Sequence, residues 1–242
     1  MQNSITQRIF GITASGTTIV GLFSVIVMAA PARALDLSQL TNLEAGTGLK
    51  DALIQGAGAA VGLLGKENGF LGDGRVKIPL PPSVQGAERM LRTFGLGHQA
   101  DELITRMNRA AEAAVPQAQA LLVDSVRQMS LQDAKGILGG PEDAATQYFK
   151  RTTASALIER FLPIVSRATA GVQLAETYNS LAGRAAQLGL LKAEDANLDH
   201  YVTQKALDGL YFMIAEQEKS IRQNPVGAAT AVAKKVFGAL GR

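Results

Sequence analysis

The chain contains no cysteine and no tryptophan, and only two histidines among 242 residues. Without cysteine there is no disulfide framework, no thiolate nucleophile and no Cys-based metal site. His98 and His200 have no Glu-x-x-His pairing and no second imidazole at ligand spacing, so no metal centre is expected from them. Each reads as a helix-start or surface residue. A Gly-x-Ser-x-Gly elbow for a serine nucleophile is also lacking. Ala60-Val-Gly-Leu-Leu-Gly-Lys-Glu67 only approximates a phosphate loop: Ala stands at the first glycine, and Glu stands where a hydroxyl would hold magnesium. Gly95-Leu-Gly-His-Gln-Ala100 approximates a dinucleotide fingerprint, but no strand leads into it. Asn68-Gly-Phe-Leu-Gly-Asp-Gly74 has too few carboxylates for a calcium loop. No cofactor, no metal and no catalytic residue is therefore assigned.

What is present is apolar and helical. Hydrophobic residues make up 47% of the chain and charged residues 19%, the balance of a folded globular protein long enough to bury a substantial core. Residues 1–34 read as an export signal, with Arg8 before an apolar run from Ile19 to Ala30 and an Ala32-Arg33-Ala34 cleavage site before Leu35. The expected location is the periplasm. The alternative is an inner-membrane anchor through residues 9–30, although the uninterrupted apolar run falls short of the roughly 20 residues a spanning helix needs. The leader carries two of the 24 basic residues and no acid, so the remainder has 22 basic against 21 acidic residues. A nucleic-acid binder needs a concentrated basic face, and none is visible.

Residues 35–242 read as one all-α domain, a multi-helix bundle with a long extended Pro/Gly loop near residues 66–83. Leu43 to Gly65 forms a helix with a small face, including Gly56, Gly58 and Ala59, suited to close helix packing. Arg75 to Pro82 is expected to be extended, because proline pushes the residue before it toward β or polyproline geometry. Phe70, Leu71, Ile78 and Leu80 would pin this loop over the bundle. Ser83 is expected to cap a short helix ending near Gly95. The longest helix is expected from about Gln99 to Met129, with an apolar stripe through Leu103, Met107, Ala111, Leu122 and Val126 and a kink at Pro116. Ser130 and Asp133 have capping-box spacing. Gly139-Gly140 should close that helix through positive φ. Pro141 should open the next helix, with Glu142 and Asp143 in its first turn. Pro163 should bend or break it, with a further helix from Ile164 to Leu191. Asn197 should cap a helix running to about Gln223, buried on most sides around Leu207 to Ile214. A final helix from Val226 would present Val236, Phe237 and Leu240 on one side.

The most suggestive polar cluster is Asn108-Arg109-Ala-Ala-Glu112, at the edge of the apolar stripe just before Pro116. A carboxylate there could be a general acid or base with a raised pKa. The competing expectation, which is favoured, is a hydrogen-bond network between helices, since buried polar groups are normally paired. Asp133, Asp143 and Asp208 complete the candidate set. Asp208 has Lys205 as an available partner, and Glu218 and Arg222 read as a surface i,i+4 pair.

Several blocks together resemble one family. They are Asn68-Gly-Phe70, Ile78-Pro-Leu-Pro81, Asn108 to Glu112, Asp133-Ala-Lys-Gly-Ile-Leu-Gly139, Ala144-Ala-Thr-Gln-Tyr-Phe149, Tyr201-Val-Thr203, Ile221-Arg-Gln-Asn-Pro225 and Lys235-Val-Phe-Gly238. In this order they are similar to the exported proteobacterial proteins of domain of unknown function 4197. The resemblance implies an exported, mostly helical Gram-negative protein and supplies no activity, cofactor or catalytic residue. Val226-Gly-Ala-Ala-Thr230 departs from it, lacking the arginine expected before the threonine, which bears on any anion-binding role for the tail. The expected function is a non-enzymatic binding or interaction module for an apolar small molecule or an envelope protein partner. The alternatives are a carboxylate-based hydrolase or lyase, and an envelope protein whose C-terminal helix makes peripheral membrane contact. Oligomeric state is left open.

Overall fold

A computed structural model describes residues 42–95, 97–171, 175–179, 187 and 197–224 of the chain. The leader and the final helix from Val226 lie outside them. The described residues form helices and connecting turns, with no strand: α1 (Asn42–Leu64), a 3-10 turn at Pro82–Val84, α2 (Gln85–Thr93), α3 (Gly97–Ala114), a 3-10 turn at Val115–Gln117, α4 (Ala118–Arg127), α5 (Leu131–Leu138), α6 (Ala144–Thr169) and α7 (Leu198–Gln223). Residues 175–179 are also helical. The fold is the expected all-α bundle. In it α6 packs chiefly on α7 and α3, while α1 packs on α7 and α4. Among the described residues no helix is long and apolar enough to cross a membrane.

The small face of α1 packs closely only in part. A Cβ added at the buried Gly56 would touch Gln217 and Ile221 of α7 at 3.5 Å and one at Gly58 would meet Gln119 of α4 at 3.5 Å, whereas Ala59 is exposed. The apolar stripe of the next segment is buried from Leu103 through Val126 to Met129. It is not one kinked helix, however. Pro116, which has no N–H and whose ring crowds the carbonyl one turn earlier, tightens Val115–Gln117 into a 3-10 turn between α3 and α4. Among the described residues the longest helices are instead α6 and α7, at 26 residues each.

The corner around Ser130 is largely as read. Ser130 Oγ accepts from Asp133 N at 3.1 Å, and Asp133 Oδ2 accepts from the Ser130 N–H at 3.2 Å, so the shorter carboxylate still completes the box. The glycines act differently. Neither Gly139 nor Gly140 takes positive φ, and a Cβ on Gly140 would meet the Gly136 carbonyl oxygen at 2.5 Å, so what is required there is closeness. Helix α6 begins at Ala144, three residues after Pro141, with Asp143 at its N-cap.

Pro163 does not break α6, which continues through it to Thr169 and ends at Ala170 and Gly171, where φ is +75°. Pro163 and Glu159, whose carbonyl loses its backbone donor, are both exposed to water, while Leu157, Phe161 and Val165 continue the buried stripe. Ile164 to Thr169 therefore belong to α6, and most of the rest of the expected 164–191 helix lies outside the described residues. Helix α7 matches its reading: Asn197 Oδ1 accepts from the N–H groups of Asp199 and His200, and the helix ends at Gln223. Phe212 is the one residue of the Leu207–Ile214 group at the surface that had been expected inside. Ser83 caps no helix, because it lies within the 3-10 turn.

Candidate functional site

Residues 65–82 form a strap, an irregular segment laid along α3 and α7. Its first part is a chain of turns, in which the N–H of Gly69 donates to Lys66 O, that of Gly72 to Asn68 O, and those of Val76 and Lys77 to Asp73 O. The extended stretch is shorter than expected, covering 77–81 and not starting at Arg75. Alternation then places Val76, Ile78 and Leu80 inside and Lys77 and Pro79 outside. Phe70 is fully buried and Leu71 half-buried, so Leu71 contributes less to the pinning than its neighbours. The Phe70 ring lies against Gly209 of α7, where a Cβ would come 2.6 Å from Phe70 Cε1. Burying such a ring contributes roughly 2–3 kcal/mol.

A segment with no helical or sheet ladder must satisfy its buried backbone groups in another way. Asn108 and Glu112, one turn apart on α3, do this. Asn108 Oδ1 accepts from the Ile78 N–H at 2.8 Å, and Asn108 Nδ2 donates to Ile78 O at 2.9 Å and to Ile104 O at 2.8 Å. Glu112 Oε1 accepts from the N–H groups of Phe70 and Leu71 at 3.0 and 3.1 Å, and Oε2 accepts from Arg109 Nη1 at 2.6 Å. Arg109 Nη2 reaches outward to Glu67 Oε1 at 3.1 Å and Asn68 Oδ1 at 3.0 Å. The Glu112 side chain is 5% exposed and that of Arg109 34%. On the α7 side, Tyr201 Oη donates to Pro79 O at 3.1 Å. The outer turn is fixed by Arg75, which forks onto Asp73 and lies over the Phe212 ring, with its guanidinium carbon 5.9 Å from the centroid. The Arg75 hydrogen bonds, followed by the bond from its backbone N–H, hold the Asp73 carboxyl down at about 2. Asn108, Arg109 and Glu112 are thus brought together. The network they make joins a helix to a loop, where one between helices was expected.

The other three candidates lie elsewhere, each with partners of its own. Asp133 is spent on the Ser130 box, whose hydroxyl holds its carboxyl below the usual range, and it also meets Arg151 at 3.3 Å. Asp143 Oδ1 accepts from Gln147 Nε2 at 2.9 Å. Asp208 is exposed and pairs with Lys205, the partner expected for it, at 3.3 Å. His98 and His200 are both exposed in the first turns of their helices. Among the described residues no group of three or more His, Asp or Glu side chains stands where it could hold a metal.

Sequence reading placed Glu218 and Arg222 at the surface; Glu218 is buried and Arg222 is largely enclosed. Glu218 Oε1 accepts from the Ala145 N–H and Oε2 from the N–H and hydroxyl of Thr146, all at 3.0 Å. A carboxylate from α7 therefore caps α6, where Asp143 makes no side-chain cap. Arg222, 14% exposed, binds Glu218 Oε1 at 2.8 Å and donates to Ile137 O at 2.9 Å, which ties in the end of α5. The missed signal is spacing: Glu218 continues the buried series Leu207, Tyr211, Ile214 at three- and four-residue steps.

Two clefts accompany these contacts. One of about 130 Å³ lies between α1 and α7 and is lined by Gln55, Gly56, Ala59, Gln217, Ser220, Ile221 and Asn224. The other, of about 320 Å³, is lined by Leu162, Pro163, Ser166, Asn197, Asp199 and His200. The smaller cleft has a mixed lining and the larger one is more apolar than polar; neither includes a candidate residue.

A family model described as protein of unknown function (DUF4197) matches residues 39–238. No curated protein and no solved structure matches the chain.

Proposed function

The chain belongs to the family described as protein of unknown function DUF4197, and from that premise we propose that it is an exported periplasmic interaction module, not an enzyme, which displays its strap to a protein partner. The observation that carries this reading is the fixing of an irregular loop by buried side chains whose bonds go to its backbone. Backbone-directed bonds leave outward side chains such as Lys66 and Lys77 at the surface with no duty to the fold's core. A loop held in one conformation before contact loses less entropy on binding than a mobile one, and long ordered loops are disproportionately functional. An apolar small molecule has less support: the cleft between α1 and α7, at about 130 Å³, is smaller than the roughly 300–1,000 Å³ of ligand pockets, and the larger one mixes its apolar surface with Asn197, Asp199 and His200. The carboxylate-enzyme alternative has less support too: Glu112 already serves three donors, and Asp133, Asp143 and Asp208 have separate partners. Location rests on the leader sequence of residues 1–34.

The test is a photoreactive residue placed at Lys77, with Glu159 on the exposed side of α6 as the control position. In living cells the reading predicts one discrete protein adduct from position 77 and none from 159, on a chain whose N-terminus is Leu35. Equal adducts from both positions, or none, would reject the strap as an interaction surface. An unprocessed N-terminus would reject cleavage of the leader.

A further inference from the structure

The surroundings of the Glu112 carboxylate are those of a receptor for a small anion. Two consecutive backbone N–H groups, of Phe70 and Leu71, converge on one of its oxygens at 3.0 and 3.1 Å, and a guanidinium nitrogen meets the other at 2.6 Å. Successive N–H groups turned to one side form an anion-binding concavity. Here it follows Asn68, a non-glycine residue with φ of +65°. Donors placed on both oxygens select a carboxylate over a spherical halide, which cannot bridge them.

These donors are positioned by contacts other than Glu112. The turn is closed by Gly69 N to Lys66 O and Gly72 N to Asn68 O. Asn108 grips the strap further along at Ile78, and Phe70 is seated against Gly209. Arg109 is held from outside by Glu67 and Asn68. The site also has an approach from water, because Arg109 is 34% exposed and Glu67 and Asn68 are at the surface.

We propose that the Phe70 and Leu71 N–H groups and the Arg109 guanidinium constitute a carboxylate-binding site which Glu112 fills from within the chain, and which takes up a free one- or two-carbon carboxylate once the Glu112 side chain is cut back. Shortening Glu112 to alanine removes the anion and leaves room of about its own size, with a guanidinium and two N–H groups facing it. Formate or acetate matches that space and charge, whereas phosphate and sulfate are bulkier than the group removed.

The experiment compares the full chain carrying Glu112→Ala with wild type and with Asn108→Ala, which loosens the same strap without vacating the anion position. Thermal unfolding is followed in sodium formate against sodium chloride of equal ionic strength. Formate at ten times its dissociation constant should raise the midpoint of the Glu112→Ala chain by about 4 °C over chloride. It should raise neither control, and the Phe70 and Leu71 amide resonances should shift saturably in Glu112→Ala alone. Equal formate effects in all three proteins, or no saturable change at those two amides, would overturn the proposal. Should Glu112→Ala fail to fold in chloride, recovery of helical circular dichroism in formate supports the site, and failure in both salts contradicts it.

Discussion

Glu112 and Glu218 are both buried carboxylates that hold backbone N–H groups far away in sequence, each beside an arginine one turn along its own helix. They stabilise different kinds of structure. Glu218 caps the first turn of α6, a segment with its own helical ladder whose free first-turn N–H groups need a partner. Glu112 grips a strap that has no ladder, so its bonds supply conformation as well as satisfaction. The environments differ in the same sense, since Arg222 is largely enclosed and Arg109 is open to water along one side. One chemical device therefore serves as a joint of the whole bundle in one place and as the clamp of a displayed loop in the other.

The sharpest way to break that comparison is to remove each carboxylate. Glu218→Ala leaves the Arg222 charge enclosed and the Ala145 and Thr146 N–H groups unpaired, so urea unfolding should show a global loss of about 3–5 kcal/mol. Glu112→Ala leaves a partly hydrated arginine and two orphaned N–H groups, for a smaller loss of about 2–3 kcal/mol. If the two losses were equal, solvent access to the arginine would not be what separates the sites. Gly209→Ala sharpens the strap side alone: its Cβ would press on the Phe70 ring, and overpacking of this kind costs about 1–3 kcal/mol. A Phe70→Leu change in the same chain should recover part of that loss, which thermal unfolding of single and double variants would read.

The smallest effect belongs to the outer turn of the strap and concerns pH. The folded Asp73 carboxyl is held at about 2, below its ordinary value of 3.8, chiefly by Arg75. A depressed pKa contributes stability that is complete above the unfolded value and lost as pH falls through the folded one. The unfolding midpoint of wild type should therefore exceed that of Asp73→Asn above about pH 4. The gap should close between there and about 2, the value at which the folded carboxyl titrates. A gap independent of pH would mean that Arg75 does not act through this charge.

Much of the fold was legible because its signals are local. The Ser130–Asp133 box and the Asn197 cap need only residues within one turn, and the stripe from Leu103 to Met129 needs only helical period. Pro163 misled because a proline breaks a helix only where its lost bond cannot be replaced, and exposure to water is not written in the residue type. The polar cluster on α3 was visible as an anomaly on an apolar edge. Its partners were not, since Phe70 lies 42 residues from Glu112 and Ile78 lies 30 from Asn108. Glu218 was overlooked for a related reason: its i,i+4 arginine offered a sufficient surface explanation, while the N–H groups it caps lie 72 and 73 residues back.

Amide hydrogen exchange at Phe70, Leu71 and Ile78 tests most directly whether buried side chains hold the strap as firmly as the helices beneath it. In wild type these three amides should exchange only on global unfolding, as slowly as the interior of α7. Glu112→Ala should release Phe70 and Leu71, and Asn108→Ala should release Ile78, by at least about tenfold, while α7 stays protected. Fast exchange of all three amides in the wild-type protein would contradict a clamped strap and remove the ground for reading it as a displayed surface.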